Sequence, residues 1–210
     1  VGGSAASYAD SQFGIERALP WAAGWVLLAT LLLLFLFTGS VILPIKAVLL
    51  NVLSLGATLG FVTWVFAEGH LQSVIGEFSV TGTIDTSSTV LIAVIAFGLS
   101  MDYELFLLSR IKEQHDAGSS TIDSVALGLQ RSGRIITAAA LVLAVTFIAF
   151  VSSGISIMKM LGLGIAFAII LDATVVRGLL VPALMRLFGD LNWWAPKWMK
   201  RIYRKLGLTH

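Results

Sequence analysis

Cysteine is absent from the 210 residues, which excludes disulfides and thiolate metal sites. Histidine is scarce: His70, His115 and His210 lie far apart and outside the apolar runs, so no metal centre is expected. Charge is the third shortage. Only 12% of residues are charged against 57% hydrophobic, whereas soluble domains carry about 25% charged residues. With a mean hydropathy of +0.92, the chain reads as an integral membrane protein whose core is built against lipid. Gly162 and Gly164 lack the strand and phosphate-loop context of a nucleotide site. Neither an enzyme, a bound cofactor nor a nucleic-acid partner is expected.

What the chain has instead is five apolar runs, at residues 21–38, 44–66, 90–109, 135–151 and 160–185. The fold class expected is an all-α membrane bundle spanning residues 21–188. Trp21 and Trp25 stand at the entry of the first run as interfacial aromatics, and Gly39-Ser40 breaks it. Pro44 suits the first turn of the second helix. Gly56 and Gly60, four apart, predict a close-packing face for a neighbouring helix. Residues 1–20 are small and polar, and read as a linker leaving an extramembrane domain. The chain is therefore expected to be a piece of a larger polypeptide. Residues 110–134 are expected to form a partly amphipathic connector, with a helix-start signal at Ser120 and Asp123. Residues 189–210 interleave Trp193, Trp194 and Trp198 with Lys197, Lys200, Arg201, Arg204 and Lys205, as in an interfacial helix on an anionic leaflet.

The cations set the expected orientation. Lys46, Arg110, Lys112, Arg131, Arg134, Arg186 and the tail cations fall on one side, and Arg17 and Lys159 on the other. The positive-inside rule puts the C-terminus in the cytoplasm and the N-terminus outside.

The third run carries Asp102, Tyr103 and Glu104 near its middle. A carboxylate at the centre of a membrane helix costs about 3 kcal/mol or more, so it is a functional-site hypothesis by default. Asp102 and Asp172 lie at similar depth, each about 20 Å from the outer end of its span at 1.5 Å per residue. Val94, Gly98 and Asp102 share one helix face; Gly164, Ala168 and Asp172 share another. The simplest expectation places both acids inside one bundle. A carboxyl held away from water favours its neutral form and can load and release a proton, with Tyr103 as a hydrogen-bonding partner. A purely structural, hydrogen-bonded Asp102 is the alternative. Glu104, about 200° around the helix from Asp102, is expected to meet a second helix or water. Arg177 is expected to pair with Asp172 or to reach the inner interface. Leu99 and Phe106 read as packing residues, and Lys112 and His115 as a solvated face.

The stretches GLSMDYELFLLSRIKE (98–113) and GLGIAFAIILDATVVRGLLVPALM (162–185) resemble the MmpL branch of the resistance-nodulation-division superfamily, over nearly the whole chain. The resemblance implies the last five spans of a six-span half, preceded by an extracytoplasmic porter domain. It implies lipid export from the inner membrane driven by proton influx, with protons as the coupling ion and Asp102 and Tyr103 as the relay. Glu104, Asp172 and Arg177 would be accessory. The Asp-Tyr-Glu version is most similar to exporters of mycolic-acid glycolipids such as trehalose monomycolate. The partners implied are the lipid, the membrane, and an N-terminal half and porter domains bringing a second Asp-Tyr pair. Inhibitors of the family's mycolate exporters wedge beside those pairs, which would put Leu99 and Phe106 on a pocket wall. Two relatives of the superfamily compete: a five-span sensor of the sterol-sensing type, and a proton-driven helper of protein translocation.

Overall fold

The computed structural model describes residues 4–80 and 82–205, with side chains for 12–80, 82–201 and 203. Residues 1–3 and 206–210, at the ends of the expected linker and tail, lie outside the described residues. So do the side chains of Ser4, Ser7, Ser11, Arg204 and Lys205. The helices are α1 (Ser4–Thr38), α2 (Ile42–Val62), α3 (Gln72–Ile75), α4 (Thr86–Asp116), α5 (Thr121–Ala149), α6 (Ser156–Leu171), α7 (Val181–Phe188) and α8 (Lys197–Lys205). A π-helical turn, Thr63–Ala67, extends α2, and a π-helical stretch, Asp172–Leu180, joins α6 to α7.

Five helical segments are long and apolar enough to cross a membrane: Gln12–Thr38, Ile42–Ala67, Thr86–Asp116, Thr121–Ser152 and Ser156–Trp193. The five expected runs are all there, and each helix overshoots its run. From Ser4 on, the expected linker is part of α1, which continues through Pro20. Most of the expected connector is likewise helix. The end of α4 and the start of α5 absorb it, leaving a turn at 117–120. Ser120 caps α5 by accepting from the Asp123 N–H at 3.2 Å, satisfying one of the orphan donors of a helix start. At the other end of the bundle Asp85 caps α4 through the Ser88 N–H at 2.9 Å.

The core forms two apolar layers. One, near the tail, packs Leu34, Leu43, Leu50, Leu107, Ile111, Val181 and Met185. The other packs Val62, Val65, Phe66, Ile92, Ala144, Ile165 and Ile169. Glycine lets α6 close on its neighbours. A Cβ at Gly162 would stand 2.5 Å from the Phe147 carbonyl oxygen, and one at Gly164 would stand 2.8 Å from Val62. The expected packing pair is different: nothing lies within 4 Å of a Cβ at Gly56 or Gly60, so that face is open among the described residues. Leu49, Leu53, Leu141, Val142 and Leu179 are exposed, the pattern of a bundle whose solvent is lipid.

Candidate functional site

Between the two apolar layers lies a polar one. Asp172 begins the π-helical stretch and is buried; Arg177, five residues on, is 3% exposed. Arg177 Nη2 lies 2.5 Å from Asp172 Oδ2. Ser100 of α4 donates its hydroxyl to Asp172 Oδ1 at 2.8 Å, and its carbonyl accepts from Arg177 Nη2. The π geometry makes the pair possible. Positions five apart diverge by about 140° on an α-helix, whereas i→i+5 bonding brings them over one another. Such a bond runs from the Val181 N–H to the Val176 carbonyl. Arg177 Nε and Nη1 find no partner among the described residues.

Glu104 belongs to this layer. It is 5% exposed and within electrostatic reach of Arg177, Asp172 and Lys46. Its turn away from Asp102, read from helix geometry, takes it into the bundle between α2 and α7. Tyr103 lies at the boundary, half-buried, with the Arg177 guanidinium 5.1 Å from its ring centroid, within cation–π range.

Asp102 departs from expectation. It is exposed, as are Val94 and Gly98 on the same stripe. The stripe that was to bring a partner helix close is left exposed by the described residues, and the two acids do not share one interior. Asp172 alone faces inward, because α4 packs its Ile92–Ala96–Ser100–Glu104 side against the bundle.

Leu99 borders a cavity of about 10 Å³ together with Ser100, Tyr103 and Asp172. Phe106 packs on the tail-side core, with the Arg110 guanidinium 5.6 Å from its ring centroid. A larger open groove of about 700 Å³ runs from Tyr103 along Arg134, Ala138, Ala139 and Val142 of α5. His115 is not simply solvated: it stacks on Trp193 at 4.0 Å and 2°. Lys112 pairs with Asp116 at 2.5 Å.

Sequence reading missed Ser100, Lys46 and Asn192 as members of the polar interior. Ser100 had a usable signal, since it sits at the depth of Asp172 on the side of α4 opposite Asp102. Lys46, counted among the cytoplasmic-side cations, is buried inside the second span.

The MMPL family model matches residues 1–208. A membrane protein of Streptomyces coelicolor is 48% identical over 99% of this chain and 29% of its own length. The trehalose monomycolate exporter MmpL3 of Mycobacterium tuberculosis is 46% identical over 99% of this chain and 22% of its own. The mycolic acid-containing lipids exporter MmpL11 of Mycolicibacterium smegmatis is 41% identical over 96% of this chain and 21% of its own. The chain thus spans less than a third of the length of these relatives. A multi-pass helical membrane protein matched along almost its whole length by the family model, with these relatives beside it, belongs to the MMPL family.

Proposed function

We propose that this chain is the C-terminal membrane half of a proton-driven lipid exporter, carrying mycolic-acid glycolipids for cell-envelope assembly. The observation that carries the reading is the exposed stripe of α4. Asp102 stands there in mid-span, beside Val94 and Gly98. A carboxylate at that depth is too costly to leave in lipid, so the stripe faces further protein or a hydrated path. The family resemblance supplies the partner: an N-terminal half with its own Asp-Tyr pair, linked to porter domains that handle the lipid.

In this reading Asp102 and Tyr103 are the relay, and Glu104, Asp172 and Arg177 are accessory. Tyr103 covers Arg177 and so joins the exposed acid to the buried pair. In the same reading the basic tail lies on the cytoplasmic face of the plasma membrane and the N-terminus outside, an orientation that the cation distribution supports. One proton crossing 100 mV carries about 2.3 kcal/mol, enough to bias a conformational cycle. Protons are the coupling ion and the chain performs no covalent chemistry.

Asp102→Asn in the full-length transporter tests this. Export of trehalose monomycolate is expected to be lost with insertion and folding intact. Export at the parental rate would remove the relay.

A further inference from the structure

The tail helix α8 carries charges that the relay leaves unused. From Leu191 to His210 the chain holds five cations, Lys197, Lys200, Arg201, Arg204 and Lys205, and no acid. Lys197, Lys200 and Arg201 are exposed. None of these three enters a salt bridge among the described residues. Another side of α8 is seated on the bundle. Tyr203 is buried, edge-on to the Phe35 ring of α1 with 6.2 Å between centroids. Met199, one turn before it, is half-buried. Trp194 and Trp198 are exposed large aromatics beside these cations, the arrangement of a membrane–water interface.

Met199 also borders a groove of about 240 Å³ between α1 and α2. Leu28, Leu32 and Phe35 of α1 and Pro44 and Ile45 of α2 line it, and every lining residue is apolar. From Leu28 to Phe35 the groove follows α1 for about 10 Å at 1.5 Å per residue. Leu28, Leu32 and Ile45 are exposed, so the groove opens outward, toward lipid. A narrow slot without a polar group suits a hydrocarbon chain and offers a headgroup nothing. The headgroup chemistry stands next to it instead. Lys200 follows Met199 directly, and Lys197 and Arg201 stand two positions to either side. Ammonium and guanidinium groups give phosphate oxygens short, charge-assisted hydrogen bonds, and no acid of the tail competes for them.

We propose that α1, α2 and α8 form a site for one anionic phospholipid of the tail-side leaflet. One acyl chain lies in the groove, and the phosphate meets Lys197, Lys200 and Arg201. The bound lipid bridges α8 to the two spans on which it rests. Charge complementarity selects an anionic lipid over a zwitterionic one, and the groove turns a general attraction to the leaflet into a site of fixed stoichiometry. The ligand is not the exported lipid, whose trehalose head is uncharged. The proposal goes beyond the transport reading and requires neither the relay nor a second membrane half.

The test uses the full-length transporter, stripped of lipid in detergent and titrated with dioleoylphosphatidylglycerol, with bound copies counted by native mass spectrometry. Dioleoylphosphatidylcholine is the zwitterionic control, and glycerol 3-phosphate is the headgroup alone. Ile45→Trp fills the groove without changing charge, and is expected to remove one saturable phosphatidylglycerol, weakening its binding at least tenfold. Leu32→Trp fills the groove from α1 and carries the same expectation if Ile45→Trp does not insert. Leu49→Trp, exposed one turn further along α2 and outside the groove, is expected to keep the lipid. A cation near an anionic surface contributes about fivefold in affinity, so Lys197→Gln, Lys200→Gln and Arg201→Gln together are expected to weaken binding about a hundredfold. Equal binding of the two lipids by the parent overturns the proposal, and so does parental binding in a groove-filling or charge-neutralised variant. Displacement of the lipid by an equal concentration of glycerol 3-phosphate would reveal a site for free phosphate and overturns it as well. Export is not the readout, so this result and that of Asp102→Asn stand or fall separately.

Discussion

Asp172 and Arg177 form an ion pair within one helix at a separation of five residues, 2.5 Å between Oδ2 and Nη2, because the helix there is π-wound. The pair is closed by Ser100 from α4. An intrahelical pair that also grips a neighbouring helix couples the local winding of one span to the position of another. This is where a change of charge in the buried layer would be felt as movement.

Breaking that pair has unequal consequences. Asp172→Asn leaves Arg177 buried and charged, and a guanidinium cannot shed its proton. Arg177→Met leaves an acid that can neutralise itself. Removing one partner of a buried pair costs about 3–5 kcal/mol. Thermal unfolding in detergent is expected to place Asp172→Asn at the upper end of that range and Arg177→Met below it. The double variant should lie closer to the parent than Asp172→Asn. Additive losses in this cycle would mean that the two side chains act independently.

Asp102 behaves oppositely. It is exposed on this chain and stands apart from the buried pair, so Asp102→Asn is expected to leave insertion and helix content of the full-length transporter intact while abolishing export. Measuring unfolding and transport on one preparation distinguishes a relay acid from a structural one. A large loss of stability would assign it to structure.

The glycines divide in the same way. Gly162→Val places side-chain atoms where the Phe147 carbonyl already stands. Overpacking of this kind costs about 1–3 kcal/mol, and it should lengthen the distance between α5 and α6 read by paired spin labels. Gly60→Ala meets nothing within 4 Å in this chain. It is expected to leave that distance and the unfolding temperature unchanged.

Lys159 carries a separate structural task. Its buried ammonium donates to the Ile75 carbonyl at 2.8 Å and the Glu77 carbonyl at 3.1 Å, fastening the segment between α2 and α4 to the first turn of α6. Hydrogen bonds from a charged group contribute about 1.5–3 kcal/mol each. Lys159→Met is expected to raise amide exchange across residues 68–80 at least tenfold, with exchange in α5 unaltered. Equal rates in that segment would show that the clasp is not what orders it.

Composition and periodicity were enough to make this a bundle of five membrane spans, because the bilayer admits only long apolar helices that satisfy their own backbone. The motif around Asp102 carried the family as well. The similar level of Asp102 and Asp172 along the bundle was legible too, since Ser100, two residues before Asp102, meets Asp172. The direction in which each acid faces was not. Val94–Gly98–Asp102 and Gly164–Ala168–Asp172 look alike in sequence, yet the first stripe is exposed and the second buried, because facing is decided by which neighbours pack on each helix. Nor does residue spacing announce a π-helical stretch, on which the Asp172–Arg177 pair depends, or that Asn192 would turn back to hold Lys46 from 146 positions away. Local chemistry chose the helices and their depths; only the assembled bundle chose their rotations, and with them which charges meet.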